Sequence, residues 1–359
     1  MADQRGSGIN WTDQTWNPVR GCTRVSQGCT NCYAERMAAR FSGLGEPYEG
    51  LAKNTPQGPR WTGEVKLIPE HLRDPLRWQK PRRIFVNSMS DLFHEKLSDE
   101  AIAAVFGIMA AAGKHTFQVL TKRPDRMSRW FVWLDQMAER CASIFPDDSL
   151  AWRRAHVLSS AALRNALGLA SSERKQLRAG ELEARGWPLP NVWLGTTTED
   201  QPAAEKRVPH LLETPAVVRF LSVEPMLGPV DLANIDVLAG LSCAADLPPH
   251  PRIHLNAFTG HLCGPDEFMG ARIHWVICGG ESGPRARRMD PTWAEDVAKQ
   301  CATAHVAFHF KQLGDVLARE RGFDSKGADL VEVPEALRVR EFPASPQTPA
   351  VAVEEVRHG

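Results

Sequence analysis

Six short apolar runs, each closed by polar residues and most followed by a helical pattern, constrain this chain more than anything else in it. Arg83 to Asn87 is closed by Ser88-Met89-Ser90-Asp91, and Thr116 to Leu120 by Thr121-Lys122-Arg123-Pro124. Asn191 to Leu194 is closed by Gly195-Thr196-Thr197-Thr198-Glu199, and Val217 to Leu221 by Ser222-Val223-Glu224-Pro225. His274 to Ile277 runs into Cys278-Gly279-Gly280-Glu281-Ser282-Gly283, and Val306 to Phe310 into Lys311-Gln312-Leu313-Gly314. Runs this short, rich in Val, Ile and aromatic residues, suit strands. Strands alternating with helices imply a parallel sheet. An extended piece within residues 9–20 brings the total to about seven. The expected fold class is therefore α/β, a partial or complete parallel (β/α) barrel. In such folds the C-terminal ends of the strands carry the active site. Polar loops also end strands that carry no function, so a single polar end means little; six together mean more.

The intervening helices carry their own signals. Ser98 can cap a helix whose Ile102, Val105, Phe106 and Met109 form a core stripe, with Gly113 ending it. Pro124 can open a second, with Met127, Trp130, Phe131 and Leu134. Asp290 and Pro291 can start another that buries Trp293, Val297 and Cys301. Residues 1–335 are read as one barrel with two insertions. Residues 141–186 suggest an inserted helical pair with a basic, solvated face (Arg153, Arg154, Arg164, Arg174, Lys175, Arg178) or a basic binding surface. Residues 233–270 hold Cys243, His250, His254, His261 and Cys263 in a spacing that matches no common zinc pattern. Residues 42–63, rich in Gly and Pro, read as a long loop, and 336–359 as a disordered tail.

A formal net charge of zero over 359 residues excludes a broad electrostatic footprint for nucleic acid, though not a local basic groove. No signal-peptide core and no run of 18 apolar residues is present, so no membrane association is expected. Eight unevenly spaced cysteines do not form a disulfide framework, and a cytoplasmic location is expected. Eleven tryptophans against two tyrosines point to large core anchors and to no particular function.

Three of the cysteines stand together. Cys22, Cys29 and Cys32 form a C-x6-C-x2-C group, flanked by Gly21, Gly28, Thr, Ser, Gln and Asn; the next cysteine is Cys141. Tyr33, Met37 and Phe41 then fall at helical spacing, with Glu35, Arg36 and Arg40 on other faces, predicting a helix that starts beside Cys32. Helix starts favour negative charge, thiolates included. Three thiolates suit an iron–sulfur cluster with one iron left open. A zinc site completed by a distant His or Cys, or three unrelated buried thiols, are the competing readings.

Gly21-Cys22 through Gly28-Cys29-Thr30-Asn31-Cys32-Tyr33-Ala34 resembles the cysteine signature of spore-photoproduct-lyase-like radical S-adenosylmethionine (SAM) proteins, with a longer first gap. The chain is more similar to a phage- and bacteria-borne family of three-cysteine radical-SAM-like proteins of unknown function. The similarity rests on Thr15-Trp16-Asn17-Pro18, the run Phe85 to His94, Thr121-Lys122-Arg123-Pro124, Asn191-Val192-Trp193-Leu194-Gly195, Ser222-Val223-Glu224-Pro225, Trp275-Val276-Ile277 with Gly279 to Gly283, and Phe310-Lys311-Gln312. It spans residues 9 to 316. Most radical SAM enzymes use C-x3-C-x2-C, so the first gap of six departs from their pattern.

The resemblance implies a radical SAM-type barrel and a [4Fe-4S] cluster on Cys22, Cys29 and Cys32, with S-adenosyl-L-methionine on the fourth iron. An electron donor such as flavodoxin or ferredoxin would serve it. The expected activity is cleavage of SAM and hydrogen abstraction from an unknown substrate, with a nucleic acid or nucleotide suggested only by the lyase analogy. Candidate SAM contacts are Asn87, Ser88, Asp91, Lys122, Glu224, Gly279, Gly280 and Glu281, which are also readable as turn residues or ion-pair partners. Lys311 is expected to contact a substrate or phosphate, or to neutralise Glu281. The alternatives are a zinc-binding barrel that acts on or binds nucleic acid, and a non-catalytic phage-associated scaffold.

Overall fold

The computed structural model of the chain describes residues 8–238, 253–263, 268–323 and 326–344. Seven strands form one all-parallel sheet that curls into a half-barrel. They are β1 (Gln14–Trp16), β2 (Arg83–Val86), β3 (Thr116–Thr121), β4 (Val192–Thr197), β5 (Val218–Val223), β6 (Trp275–Gly279) and β7 (Ala307–Gln312), paired in chain order. Side chains alternate across each strand. Ile84, Val86, Phe117, Val119, Leu194, Val276 and Phe310 face the helices in the main core. Trp193, Phe220, Trp275 and Ile277 belong to a second cluster on the other face, completed by Trp11 from the N-terminal segment. Trp275 meets Trp193 edge-on at 5.9 Å and Trp11 at 6.2 Å. Six of the chain's large aromatics thus plug the concave side of the sheet: Phe85 on β2, Trp193, Phe220 and Trp275 on β4–β6, Trp11 in the N-terminal segment and Phe342 beyond β7.

The principal helices are α1 (Tyr33–Arg40), α2 (Asp99–Ala111), α3 (Pro124–Arg140), α4 (Leu150–Asn165), α5 (Gln201–Leu212) and α6 (Pro291–Thr303). Their starts follow the capping signals. Ser98 Oγ accepts from Ala101 N, Asp290 caps Thr292 N, and Pro124 and Pro291 occupy first-turn positions. The 141–186 insertion is one 16-residue helix, α4, plus the short helices Ser171–Gln176 and Ala179–Glu183, rather than a pair. It covers α2. An ideal Cβ on Gly107 would lie 2.4 Å from Leu158 O, so only glycine lets the two helices approach this closely. That cover explains why every residue from Ala101 to Ala111 is buried.

Three other segments depart from the sequence reading. Residues 42–63 contain a hairpin, Ala52–Thr55 with Gly58–Trp61, packed on α1. The 233–270 insertion contributes a small antiparallel sheet from Ile235–Asp236, His254–Asn256, His261–Cys263 and Phe268–Met269; Cys243 and His250 lie outside the described residues. The disordered tail expected from 336 onward is corrected over 336–344. Leu337 is fully buried, Phe310 N donates to Val339 O at 2.8 Å, and Glu341 N donates to Phe308 O at 2.8 Å. This segment covers the open edge of β7, whose backbone groups need partners. Residues 345–359 lie outside the described residues. Among the described residues no helix is long and apolar enough to cross a membrane.

Candidate functional site

The cysteine loop leaves β1 and crosses the C-terminal ends of the strands. Gly21 turns it with φ +96°, bridges Ser90 just beyond β2, and leaves no room for a Cβ, which would lie 2.1 Å from Glu64 O. A 3-10 turn at Gln27–Cys29 follows, and Cys32 is the residue that precedes α1. Carboxylates from distant elements hold the loop down. Ser26 Oγ donates to Glu199 at 2.8 Å, beyond β4, and Asn31 Nδ2 donates to Glu281 at 3.0 Å, beyond β6. Within the loop and α1, Arg24 pairs with the buried Glu35, which also accepts from Trp61 N at 2.9 Å. Thr23 Oγ1 bonds His94 Nε2 at 3.0 Å and accepts from Arg123 Nη2 at 2.7 Å.

Cys22, Cys29 and Cys32 line a single cavity of about 150 Å³. Its floor includes Phe85 and Leu120; its walls include Asn87, Ser88, Asp91, Lys122 and Thr197. Burial pushes the Cys22 thiol up to about 12, with Asp91 and the other two cysteines adding to the rise and Arg123 opposing it. Burial also raises Cys32, opposed by the backbone N–H groups of Glu35 and Ala34 and by Lys122. These thiols resist ionising together unless a cation joins them. Among the described residues no group of three or more His, Cys, Asp or Glu is arranged to hold a metal ion.

The predicted contact residues separate into two sets. Asn87, Ser88, Asp91 and Lys122 line the cysteine cavity; Glu224, Gly279, Gly280 and Glu281 do not. Asn87 is 2% exposed and holds φ at +61°. Its Oδ1 accepts from Val19 N at 3.4 Å, and its Nδ2 is buried without a partner. Ser88 Oγ donates to Asn17 Oδ1. Asp91 is fully engaged, accepting from Phe93 N, Thr121 Oγ1, Lys122 N and Arg123 Nη1, all within 3.1 Å. It locks β2 to β3 and has little capacity left for a ligand. Glu224 pairs with Lys311 at 2.6 Å, and so takes the cation expected beside Glu281. Glu281 is instead held by Arg287 and Asn31; burial would raise it, but these partners bring it below the usual carboxylate range. Gly279 and Gly280 serve packing: a Cβ on Gly280 would lie 2.1 Å from Leu313 O.

One central residue was not singled out as a site residue from sequence. Glu199 is 1% exposed and bonds Ser26 at 2.8 Å, Lys122 Nζ at 3.1 Å and Arg207 Nη1 at 2.6 Å. Burial would raise its pKa, yet Lys122 and Arg207 hold it at about 2. Its signal was the strand-end position after Thr198; its partner Arg207 lies within α5, where sequence gives no cue. Beside it lies a larger groove of about 840 Å³ between the starts of α3 and α5. Val25, Lys122 and Arg123 border both spaces, so the cysteine cavity adjoins the groove across these side chains.

No curated protein and no solved structure matches the chain. A family model does, over residues 6–341, a span that takes in the cysteine loop, all seven strands and the segment that covers β7. The chain belongs to the DUF5131 family, described as proteins of unknown function.

Proposed function

We propose that this is a radical SAM-type enzyme, its half-barrel holding a [4Fe-4S] cluster on Cys22, Cys29 and Cys32 with S-adenosyl-L-methionine on the open iron. One observation carries the reading: three thiols from a single pinned loop line one cavity at the C-terminal end of a parallel sheet, beside a buried amide, Asn87 Nδ2, that lacks a partner. A cluster suits this arrangement better than a single zinc ion, because each thiolate binds its own iron and the sulfurs need not gather about one point. When bound, these groups supply one-electron cleavage of the sulfonium and hydrogen abstraction from a substrate.

The chain's own residues have definable roles. The start of α1 favours the Cys32 thiolate. Asn87 and Ser88 offer polar contacts beside the cluster, and Lys122, paired with Glu199 and bonded to Thr197 at the border with the groove, keeps one ammonium hydrogen to donate to a carboxylate. Glu199 and Glu281 hold the loop rather than the ligand. The aromatic plug of Trp11, Trp193, Phe220 and Trp275 closes the concave side against water. The groove along α3 and α5 receives the substrate.

Protein purified without oxygen is expected to be brown and to contain about four iron per chain. Cys29→Ala should lose iron, and reduction in the presence of SAM should release 5′-deoxyadenosine from the unaltered chain alone. Stoichiometric zinc with no iron would overturn the reading in favour of a zinc-binding barrel. A cluster that never cleaves SAM would reduce the protein to a scaffold.

A further inference from the structure

A second cavity, of about 120 Å³, shares only Cys32 with the cysteine cavity. The start of α1, the hairpin at Pro59 and the loop after β6 enclose it. Among the described residues three guanidinium groups line it, those of Arg24, Arg36 and Arg285, against the one carboxylate of Glu35. Two positive charges are therefore unbalanced within its walls.

The carboxylates around this cavity are engaged with other groups. Glu35 is taken by Arg24 and by Trp61 N. Glu281 is taken by Arg287 and Asn31, and Asp315 accepts from Gly283 N at 2.6 Å. Among the described residues no acceptor meets the side chain of Arg36 or of Arg285, and Arg36 Nε is buried without one. A guanidinium carries five donors and a permanent charge, so a half-buried one without an acceptor is costly. Arg24, Arg123, Arg207 and Arg287, the other arginines around the cysteine loop, each have a carboxylate.

The backbone makes room for both groups. An ideal Cβ on Gly283, whose φ is +114°, would lie 2.8 Å from Arg36 Nη1 and from Nη2, so this guanidinium rests against bare backbone. Arg285 Nη2 comes within 3.1 Å of the place of a Cβ on Gly58, in the hairpin turn. The turn that carries Arg285 is fixed. Ala286 N donates to Gly283 O at 3.1 Å, and Asn31 Nδ2 donates to Arg285 O at 2.6 Å. The last glycine of the run after β6 thus serves this cavity and not the cysteine cavity.

We infer that Arg36 and Arg285 form a phosphate site, which holds a single phosphate group beside Cys32, free or as the end of a larger ligand. Planar guanidinium forks match the oxygens of phosphate and carboxylate alike. Two unbalanced positive charges favour phosphate, which is close to doubly charged at pH 7, over a singly charged carboxylate. Pockets that enclose a whole ligand usually measure roughly 300–1,000 Å³, so this one takes a single group. The exposed Arg285 marks the side from which the rest of a ligand extends. The site needs neither iron nor SAM, so it stands or falls apart from the cluster.

The test titrates inorganic phosphate into the full chain by calorimetry, at low salt in a phosphate-free buffer. One phosphate per chain is expected, bound about tenfold or more weakly by Arg36→Gln and by Arg285→Gln. Phosphate should raise the melting temperature of the parent and leave that of the double variant unchanged. Arg36→Lys, which keeps the charge and loses the fork, should recover part of the affinity. Arg319→Gln, at an exposed arginine on another helix, should bind as the parent does. No heat and no shift in melting temperature, or binding unaltered in both single variants, overturns the site. Acetate bound as tightly as phosphate overturns the choice of phosphate. A nucleoside monophosphate bound more tightly than the free ion, with the same loss in both variants, identifies the group as the end of a larger molecule. Equal affinity identifies the free ion, and both results uphold the site.

Discussion

No side chain fits between Gly28 and Glu199: a Cβ at position 28 would lie 2.2 Å from the Glu199 carboxylate oxygen. The cysteine loop therefore rests directly on a buried carboxylate that also neutralises Lys122, after β3, and Arg207, in α5. The loop is thus tied to the sheet by an ion cluster rather than by its own secondary structure.

Gly28→Ala should displace either the loop or Glu199, with a loss of about 1–3 kcal/mol in stability, the usual range for an overpacked site. Denaturant unfolding gives that value. Iron content of the purified variant should fall in parallel, since Cys29 is the next residue. A variant that matches the parent in both would show that the loop does not bear on the carboxylate.

Glu199→Ala leaves the buried Arg207 and the partly buried Lys122 without their carboxylate and should cost about 3–5 kcal/mol. The pH dependence has a definite sign. Glu199 has its pKa held at about 2, below its ordinary 4.5. Its contribution is complete above pH 4.5 and is lost as pH falls through about 2, because the unfolded chain takes up the proton first. Glu199→Gln should flatten this part of the acid-unfolding curve, followed by circular dichroism.

His309, fully buried on β7, acts at higher pH. Burial, reinforced by Arg340 and Arg83, lowers it from 6.5 to about 3. Between those values the unfolded chain holds a proton that the folded chain refuses, so stability falls as pH drops from 6.5 toward 3. His94, His115 and His274 are lowered too and add to the slope. His309→Gln, which retains a donor or acceptor for Asn10, should reduce the slope between pH 6 and pH 5 by about one proton's share.

Asn87 carries two separable properties, a left-handed backbone and a free amide. Both Asn87→Gly and Asn87→Ala remove the acceptor of Val19 N, but the glycine keeps the backbone without strain, so Asn87→Ala should cost about 1–2 kcal/mol more than Asn87→Gly. If the amide serves a bound cofactor, the glycine variant should bind SAM about tenfold more weakly, the worth of one hydrogen bond in a buried site. Equal affinity in equilibrium dialysis would assign Asn87 to the backbone turn alone.

Much of the fold was legible because periodicity is local. The runs at Arg83, Thr116, Asn191, Val217, His274 and Val306 all became strands of one parallel sheet, extended or trimmed by one to three residues. Ser98, Pro124, Asp290 and Pro291 mark helix starts where their chemistry places them. The reading failed where a distant element supplied the answer. Tyr33 and Phe41 stand at helical spacing but are exposed, because the hairpin packs against the side of α1 that carries Ala38 and Ala39. Leu337, Val339 and Phe342 sit in an Ala-, Pro-, Val- and Glu-rich stretch with no helical or strand period, yet the open edge of β7 gives it partners.

By itself the sequence determined the strand and helix grammar, the order of the elements and the close grouping of three cysteines, because each is encoded by neighbours a few residues apart. Only the tertiary structure decided which carboxylates are free. Asp91, Glu224 and Glu281 look alike in the sequence as strand-end acids, but each is already taken by an arginine or lysine brought from elsewhere in the chain. The same folding put Glu199 beneath Gly28 and left Asn87 with an unpaired amide. Ion pairing and burial depend on distances across the sheet, and the spacing of residues along the chain does not contain those distances.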